Sequence, residues 1–135
     1  MTHIAGRALP GQKPRVLLVE DDPAVRRSLQ LLMQANGFEV RAYASGGTLL
    51  ADETSLQAAG LVADYRMSEC DGIDTLLQLR AKGWDCPAIL ITGFPSAGVA
   101  NCARSAGFDT VFEKPLRQHA LVKELERLVL GNGES

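Results

Sequence analysis

The sequence predicts an α/β fold in which helices cover both faces of a doubly wound parallel β-sheet. Short apolar runs alternate five times with longer segments of helical periodicity along the 135-residue chain, and this alternation is typical of parallel strands joined by helices. Glycine follows the first, third and fourth helical segments, where it favours a helix end. The length is that of one ordinary domain with a substantial core.

The predicted strands are short apolar runs, as expected for strands that are buried on both faces. In chain order they are RVLLV, which begins at Arg15, then FEVRAY, LVAD, PAILIT and DTVFE. The first helical segment, PAVRRSLQLLMQANG, has an apolar stripe that consists of Val25, Leu29, Leu32 and Met33. A helix with one such stripe is expected to pack on the sheet.

The four later helical segments differ in character. The second, SGGTLLADETSLQAAG, is expected to combine a short helix with a loop. The third, IDTLLQLRAKG, places Ile73, Leu76, Leu77 and Arg80 at helical spacing, and the fourth, SAGVANCARSAG, consists mainly of small residues. The last, LRQHALVKELERLVL, has one apolar and one charged face, so we expect it to pack on the sheet as well.

Composition excludes several classes of function. The net charge of −2 gives no general attraction for nucleic acid. No apolar run approaches the ~18 residues of a transmembrane helix, and the N-terminal segment lacks the apolar core of a signal peptide. The cysteines share no metal-ligand spacing, which favours reduced thiols in a cytoplasmic protein. We therefore expect a cytoplasmic domain at residues 15–131 between short tails, 1–14 and 132–135, that binds neither nucleic acid nor membranes directly.

Chemically reactive side chains follow the predicted strands at their carboxyl ends, where open α/β sheets bind ligands. They are Glu20, Asp21 and Asp22 after the first strand, Asp64 at the end of the third, Thr92 at the end of the fourth and Lys114 after the fifth. Carboxylates are ligands that Mg²⁺ prefers, and a hydroxyl and a lysine beside the cation suit the oxygens of a phosphoryl group. Asp64 would then be the nucleophile that forms an aspartyl phosphate.

Four motifs occur in order between Arg15 and Leu130: VLLVEDD, LVADYRM with DG following, ILITG and FEKP. In these motifs the sequence resembles the receiver domain of bacterial two-component response regulators, over nearly the whole chain. The resemblance implies a flavodoxin-like (βα)5 sandwich with strand order 2-1-3-4-5. It also implies a stand-alone response regulator that accepts a phosphoryl group from a sensor histidine kinase or a histidine phosphotransfer protein. Such a protein catalyses only its own phosphorylation and dephosphorylation.

The resemblance also implies a metal site. Asp64 matches the phosphoacceptor of the family. Glu20 and Asp21 match the acidic pair that binds Mg²⁺, with Mn²⁺ as a substitute; Asp21 would bind the ion directly, and Glu20 through water. The backbone carbonyl of Arg66 matches the ligand that lies two residues after the acceptor.

Further residues match positions around the phosphoryl group. Thr92 and Lys114 match the residues that contact its oxygens, and Thr92 would reorient on phosphorylation. Arg66 and Phe94 lie two positions after the acceptor and the threonine, where family members tune phosphate hydrolysis. We expect Phe94 to shield the acyl phosphate from water and prolong its lifetime.

Two residues near these motifs need a separate interpretation. Asp22 directly precedes Pro23, and because proline is favoured at the first helical position, Asp22 is predicted to be the N-cap of the first helix. Val111 stands where the family usually has an aromatic residue, three positions before the lysine. Without that aromatic side chain, the sequence leaves open how phosphorylation is transmitted to the face formed by the fourth helix, the fifth strand and the fifth helix. The same face is a candidate for a homodimer contact.

Three alternatives to a stand-alone receiver follow from the same sequence. It could be the receiver fragment of a DNA-binding response regulator, although Met1 and the ending GNGES fit a short intact protein. It could be an interaction module that works without phosphorylation. A Mg²⁺-dependent phosphatase is disfavoured, because such enzymes place a second acid two residues after the nucleophile, and Asp64 is followed by Tyr65 and Arg66.

Overall fold

The computed structural model describes residues 12–66, 71–93 and 96–131. Its strands are β1 Arg15–Val19, β2 Glu39–Tyr43, β3 Gly60–Asp64, β4 Ala88–Thr92 and β5 Thr110–Glu113. Its helices are α1 Pro23–Ala35, α2 Gly46–Ala51, α3 Gly72–Ala81, α4 Ala97–Ala106 and α5 Gln118–Leu125. A 3-10 turn, Glu53–Gln57, follows α2, and a π-helical turn, Glu126–Leu130, continues α5.

The strands form one parallel sheet in the order β2-β1-β3-β4-β5. This arrangement confirms the predicted α/β fold and its strand order. Among the predicted functional residues, Phe94 lies outside the described residues. Residues 1–11 and 132–135, which make up most of the two predicted tails, lie outside them as well. No helix in the described ranges has the length and apolar character needed to cross a membrane.

Two hydrophobic cores lie on opposite faces of the sheet. Because side chains alternate along a strand, Leu17 and Val19 of β1 contribute to one core, and Val16 and Leu18 to the other. Helices α2, α3 and α4 cover the first core, and α1 and α5 cover the second. The sheet is therefore buried on both faces, and its carboxyl edge remains the place where polar side chains from neighbouring strands meet.

The four helically spaced residues of α3 do not all face the core. Leu77 is 48% exposed, whereas the buried side of the helix consists of Gly72, Thr75, Leu76 and Leu79. Thr75 is fully buried, and its hydroxyl donates to the carbonyl of Asp71. A pattern of apolar residues does not count a threonine as core, so the buried side of α3 is displaced by about one residue from the helically spaced set.

Arg80 at the end of α3 joins two loops at the amino edge of the sheet. Its guanidinium donates to the carbonyls of Trp84 at 3.1 Å, Cys86 at 2.8 Å and Gly107 at 3.0 Å. It also lies 5.3 Å from the centroid of the Trp84 ring, within the range of a cation–π contact. Arg80 therefore ties the connections before β4 and β5 to α3.

Candidate functional site

The parallel register brings four predicted residues together at the carboxyl edge of the sheet. Asp64, the last residue of β3, lies between Glu20 and Asp21, which follow β1, and Lys114, which follows β5. Carboxylate oxygens of the three acids lie within 4.8 Å of one another. The Lys114 ammonium lies 3.3 Å from Asp64 Oδ1 and 4.0 Å from Glu20 Oε1. One cation therefore faces a cluster of three acids.

Asp64 is held in place by the backbone of β3 and β4. It pairs with Ile91 in the parallel ladder, and the N–H of Tyr65 donates to the Ile91 carbonyl at 2.8 Å. Its side chain is buried, with only 6% of the residue exposed. Burial raises the pKa of Asp64 above its ordinary range, although the Lys114 ammonium opposes that rise. The carboxylate is thus poorly solvated and depends on nearby positive charge.

Glu20 is more deeply buried than its neighbour Asp21. Only 3% of Glu20 is exposed, and its Oε2 accepts a hydrogen bond from the Asp22 backbone N–H at 3.1 Å. Burial raises the pKa of Glu20 to about 7, and the negative charge of Asp64 adds to the rise. Asp21, in contrast, is exposed. The two acids of the predicted pair therefore have different environments.

Asp22 belongs to a helix end rather than to the acidic cluster. Its Oδ1 accepts hydrogen bonds from the backbone N–H groups of Ala24 at 2.9 Å and Val25 at 3.2 Å, which makes Asp22 the N-cap of α1. Pro23 occupies the first helical position, where its missing N–H costs no hydrogen bond. The three consecutive acids therefore divide into two groups: Glu20 and Asp21 belong to the acidic cluster, and Asp22 caps α1.

The backbone of Lys114 is joined to the end of β4. Its N–H donates to the Thr92 carbonyl at 2.8 Å, which extends the β4–β5 pairing by one residue. A cis peptide bond links Lys114 to Pro115. Because the hydrogen bond to Thr92 fixes its backbone at the end of β4, Lys114 extends its side chain next to Asp64.

Thr92 of β4 and Val111 of β5 line the same cavity, although the register pairs Thr92 with Glu113 and Val111 with Leu90. Thr92 is only 1% exposed, and both residues line a cavity of about 130 Å³ between α4 and β5, together with Glu113. Val111 packs against the core under α2, α3 and α4, and Phe112 packs against the opposite core. Phe112 therefore cannot take the place of an aromatic side chain at position 111.

Two residues near the site carry roles that the sequence prediction missed. The guanidinium of Arg26 in α1 donates to the Glu20 carbonyl at 2.8 Å, so it holds the main chain of one of the three clustered acids. Gly72 at the start of α3 lies against the main chain of Asp64. Gly72 belongs to the DG that follows LVADYRM, whereas the only sequence signal for Arg26 is its short distance from VLLVEDD.

The acidic cluster fits a divalent cation. Its oxygen donors are hard ligands of the kind that Mg²⁺ prefers, and they converge from two neighbouring strand ends. The raised pKa values of Glu20 and Asp64 show that burial disfavours negative charge here. Arg66, whose carbonyl is the fourth predicted ligand, follows Asp64 by two residues and is exposed.

Comparisons with known proteins identify the family. Residues 16–126 match the family model of the response regulator receiver domain. The transcriptional regulatory protein FixJ of Rhizobium meliloti (strain 1021) is 32% identical over 112 residues, or 83% of this chain and 55% of FixJ. Response regulator MprA of Mycobacterium avium (strain 104) is 32% identical over 115 residues, or 85% of this chain and 50% of MprA. The chain spans about half the length of these relatives.

A solved structure with the same fold is the receiver domain of the Francisella response regulator 1452. Its TM-score is 0.81 at 23% sequence identity, over 88% of this chain and 98% of that domain. The sheet order, the acidic edge and the match over residues 16–126 agree with one another. The chain therefore belongs to the family of response regulator receiver domains, phosphoryl-accepting switches of two-component signalling that bind Mg²⁺ at an acidic pocket.

Proposed function

We propose that Asp64 accepts a phosphoryl group from the phosphohistidine of a sensor histidine kinase or of a histidine phosphotransfer protein. The phosphorylated chain then switches the binding of a partner protein or passes the phosphoryl group on. The observation that carries this proposal is the position of the Asp64 carboxylate, 3.3 Å from the Lys114 ammonium and beside the carboxylates of Glu20 and Asp21. We expect this reaction to take place in the cytoplasm.

In the proposed transfer, a carboxylate oxygen of Asp64 forms a bond to phosphorus while the bond from phosphorus to the histidine nitrogen breaks. The electron pair of that bond remains on the imidazole. Lys114, which already contacts Asp64, would neutralise an oxygen of the incoming group. Thr92 ends the neighbouring strand, and its hydroxyl is proposed to contact a second oxygen.

Mg²⁺, or Mn²⁺ in its place, would be held by Glu20, Asp21, Asp64 and the carbonyl of Arg66, and would supply positive charge to the phosphoryl oxygens. The chain's own contribution is to bring three carboxylates close together in spite of their repulsion. The Asp22 N–H and the Lys114 ammonium offset part of that repulsion at Glu20.

The phosphodonor is proposed to dock beside the site, in a groove between α1 and the start of α5. The groove has a volume of about 380 Å³ and contains Val25 and Leu29 of α1, Lys114, and Leu116 of the following loop. Apolar side chains next to the acceptor suit the surface of a helix that presents a histidine. Docking at this groove would bring the donor phosphorus to Asp64 without moving the sheet.

The stand-alone role is one of two candidates for the whole protein. The similarity to FixJ, a transcriptional regulatory protein of which the chain covers 55%, favours a second candidate: the receiver part of a transcriptional regulator. Sequencing the gene beyond codon 135 distinguishes the two. An open reading frame that continues into a further domain would favour the regulator, and a stop codon there would favour the single domain.

The proposed phosphorylation is tested by intact mass spectrometry after incubation with acetyl phosphate and Mg²⁺. We expect a mass increase of one phosphoryl group on the wild type, none on Asp64→Asn, and none on the wild type with EDTA. The same mass increase on Asp64→Asn would show that another residue is the acceptor. A wild type without an adduct at any Mg²⁺ concentration would refute the proposal and favour a phosphorylation-independent interaction module.

A further inference from the structure

We infer that Gly72 is a positioning residue for Asp64, because the absence of a side chain at position 72 lets the first turn of α3 lie directly against the main chain of the acceptor. The inference deepens the proposed function and rests on it. Neither helix propensity nor backbone conformation accounts for a glycine here, and the geometry points to a steric requirement.

Local preferences would favour another residue at position 72. Glycine inside a helix is less favourable than alanine, and Gly72 is the first residue of α3, after the N-cap Asp71. Four described glycines have the positive φ that makes glycine necessary, and Gly72 is not among them. An alanine would therefore suit the backbone of Gly72 and would favour the helix.

The contacts around Gly72 leave no room for an alanine. An added Cβ atom would lie 2.6 Å from the carbonyl oxygen of Asp64, 3.2 Å from its carbonyl carbon and 2.8 Å from Leu90 Cδ1. Real Cβ atoms essentially never come within 3.0 Å of another heavy atom. The Asp64 carbonyl or the start of α3 would therefore have to move by at least about 0.4 Å.

Hydrogen bonds and packing limit where that movement can go. The Gly72 N–H donates to the Tyr65 carbonyl at 3.1 Å, so α3 begins on the residue that follows the acceptor. Withdrawal of α3 would break this bond and would lift Leu76 and Leu79, which are fully buried, out of the core. The peptide between Asp64 and Tyr65 is therefore expected to absorb much of the shift.

A shift of the peptide between Asp64 and Tyr65 would disturb both proposed roles at the end of β3, that of the phosphoacceptor and that of the backbone metal ligand. It moves the Asp64 carboxylate relative to the Lys114 ammonium, which it now meets at 3.3 Å. It also moves the carbonyl of Arg66, one residue further on, which is the proposed backbone ligand of the metal. Because a displacement of about 1 Å is able to cost about 100-fold in rate, we expect Gly72→Ala to slow phosphorylation by about 10-fold.

The test compares four variants with the wild type: Gly72→Ala, Leu90→Ala, the double variant and Gly98→Ala. Gly98 is the matched control, because it lies in the first turn of α4 and an added Cβ would meet nothing closer than Ser96 Oγ at 3.8 Å. Leu90→Ala removes the second of the two close contacts and leaves the contact with the Asp64 carbonyl. The double variant therefore separates positioning of the acceptor from crowding in the core.

Three quantities are measured for each protein. They are the rate of phosphorylation by acetyl phosphate at saturating Mg²⁺, the Mg²⁺ dissociation constant from backbone amide chemical shifts, and the free energy of unfolding in urea. We expect Gly72→Ala to be folded, to react about 10-fold more slowly and to bind Mg²⁺ more weakly than the wild type. The same ratios are expected between the double variant and Leu90→Ala, and Gly98→Ala should match the wild type in rate and Mg²⁺ affinity.

Several results would overturn the inference. One is a Gly72→Ala protein with the rate and Mg²⁺ affinity of the wild type, and another is a double variant that equals Leu90→Ala. If Gly72→Ala does not fold, the double variant and Leu90→Ala carry the comparison, and failure of the double variant as well would assign Gly72 to the fold alone. If the wild type takes no phosphoryl group, the proposed function fails, and an unchanged Mg²⁺ affinity of Gly72→Ala would then refute the positioning role separately.

Discussion

The burial of Glu20 predicts that replacing it with glutamine stabilises the metal-free protein at neutral and higher pH. Burial raises the pKa of Glu20 from its ordinary value of 4.5 to about 7 in the folded state. Between these two values the folded protein therefore binds a proton that the unfolded chain releases. The stability that this proton contributes is complete below about pH 4.5 and is lost as the pH rises through about 7.

The size of the effect follows from the same shift. At about 1.4 kcal/mol for each pKa unit, the rise from 4.5 to about 7 corresponds to roughly 3 kcal/mol. Glutamine has the same shape and remains neutral, and its amide oxygen is able to accept the Asp22 N–H as the carboxylate does. In EDTA, Glu20→Gln should therefore be more stable than the wild type by roughly 3 kcal/mol near pH 8 and equally stable near pH 4.

The assay is urea unfolding in EDTA at several pH values, followed by the fluorescence of Trp84, which is buried and is the only tryptophan of the chain. Added Mg²⁺ should stabilise the wild type more than Glu20→Gln, because the charged carboxylate of Glu20 is proposed to hold the ion. A wild type that is the more stable protein near pH 8 in EDTA would refute the reasoning. So would a difference between the two proteins that does not change with pH.

Glu39→Gln is the matched control, because its expected pH dependence has the opposite sign. Burial alone would raise the pKa of Glu39, but hydrogen bonds from Arg41 at 3.2 Å and Arg15 at 3.0 Å outweigh it and lower the pKa. A lowered carboxyl pKa stabilises the folded state at pH values above the ordinary pKa of the group. This stabilisation is lost as the pH falls through the lowered pKa. Glu39→Gln should therefore be less stable than the wild type near pH 8, and the deficit should close on acidification.

Four further substitutions test the other assignments. Asp21→Ala removes one of the three clustered carboxylates and should abolish Mg²⁺-dependent phosphorylation in the intact-mass assay; an adduct like that of the wild type would contradict its role as a metal ligand. Asp22→Ala removes the N-cap of α1 and should lower the free energy of urea unfolding by about 1 kcal/mol while phosphorylation continues. Loss of the adduct in this variant would show that Asp22 belongs to the metal site. Arg80→Ala leaves three loop carbonyls without their donor and should cost about 3 kcal/mol of unfolding free energy, whereas a cost near zero would show that water replaces the guanidinium. Phe94→Ala should speed dephosphorylation if Phe94 shields the acyl phosphate, and an unchanged rate of phosphate loss would end that hypothesis.

The readout of phosphorylation depends on the region around Val111. Val111 lines a cavity of about 130 Å³ that Thr92 also lines. We propose that the switch, and a homodimer if one forms, uses the face formed by α4, β5 and α5. Because the side chain of Val111 is short, a movement of Thr92 would have to be transmitted by α4, which lines the same cavity, rather than by the swing of an aromatic ring.

The order of strands and helices was predictable because it depends on local patterns. Strands such as RVLLV and PAILIT are continuous apolar runs, and a parallel sheet buried on both faces is the arrangement that satisfies them. The cap of α1 was equally local, since Asp22 lies directly before a proline at the first helical position. The buried side of α3 was not predictable in this way, because it includes Thr75, whose hydroxyl donates to the Asp71 carbonyl, a contact that the apolar pattern does not contain.

The sequence by itself determined that Glu20, Asp21, Asp64 and Lys114 lie at strand ends, because each follows or ends an apolar run. Only the tertiary structure decided that Glu20 is buried and Asp21 exposed, since burial depends on how neighbouring elements pack over each carboxylate. The tertiary structure also decided the role of Gly72. Its close approach to the Asp64 carbonyl joins two segments through their packing, and no local preference of either segment encodes that distance.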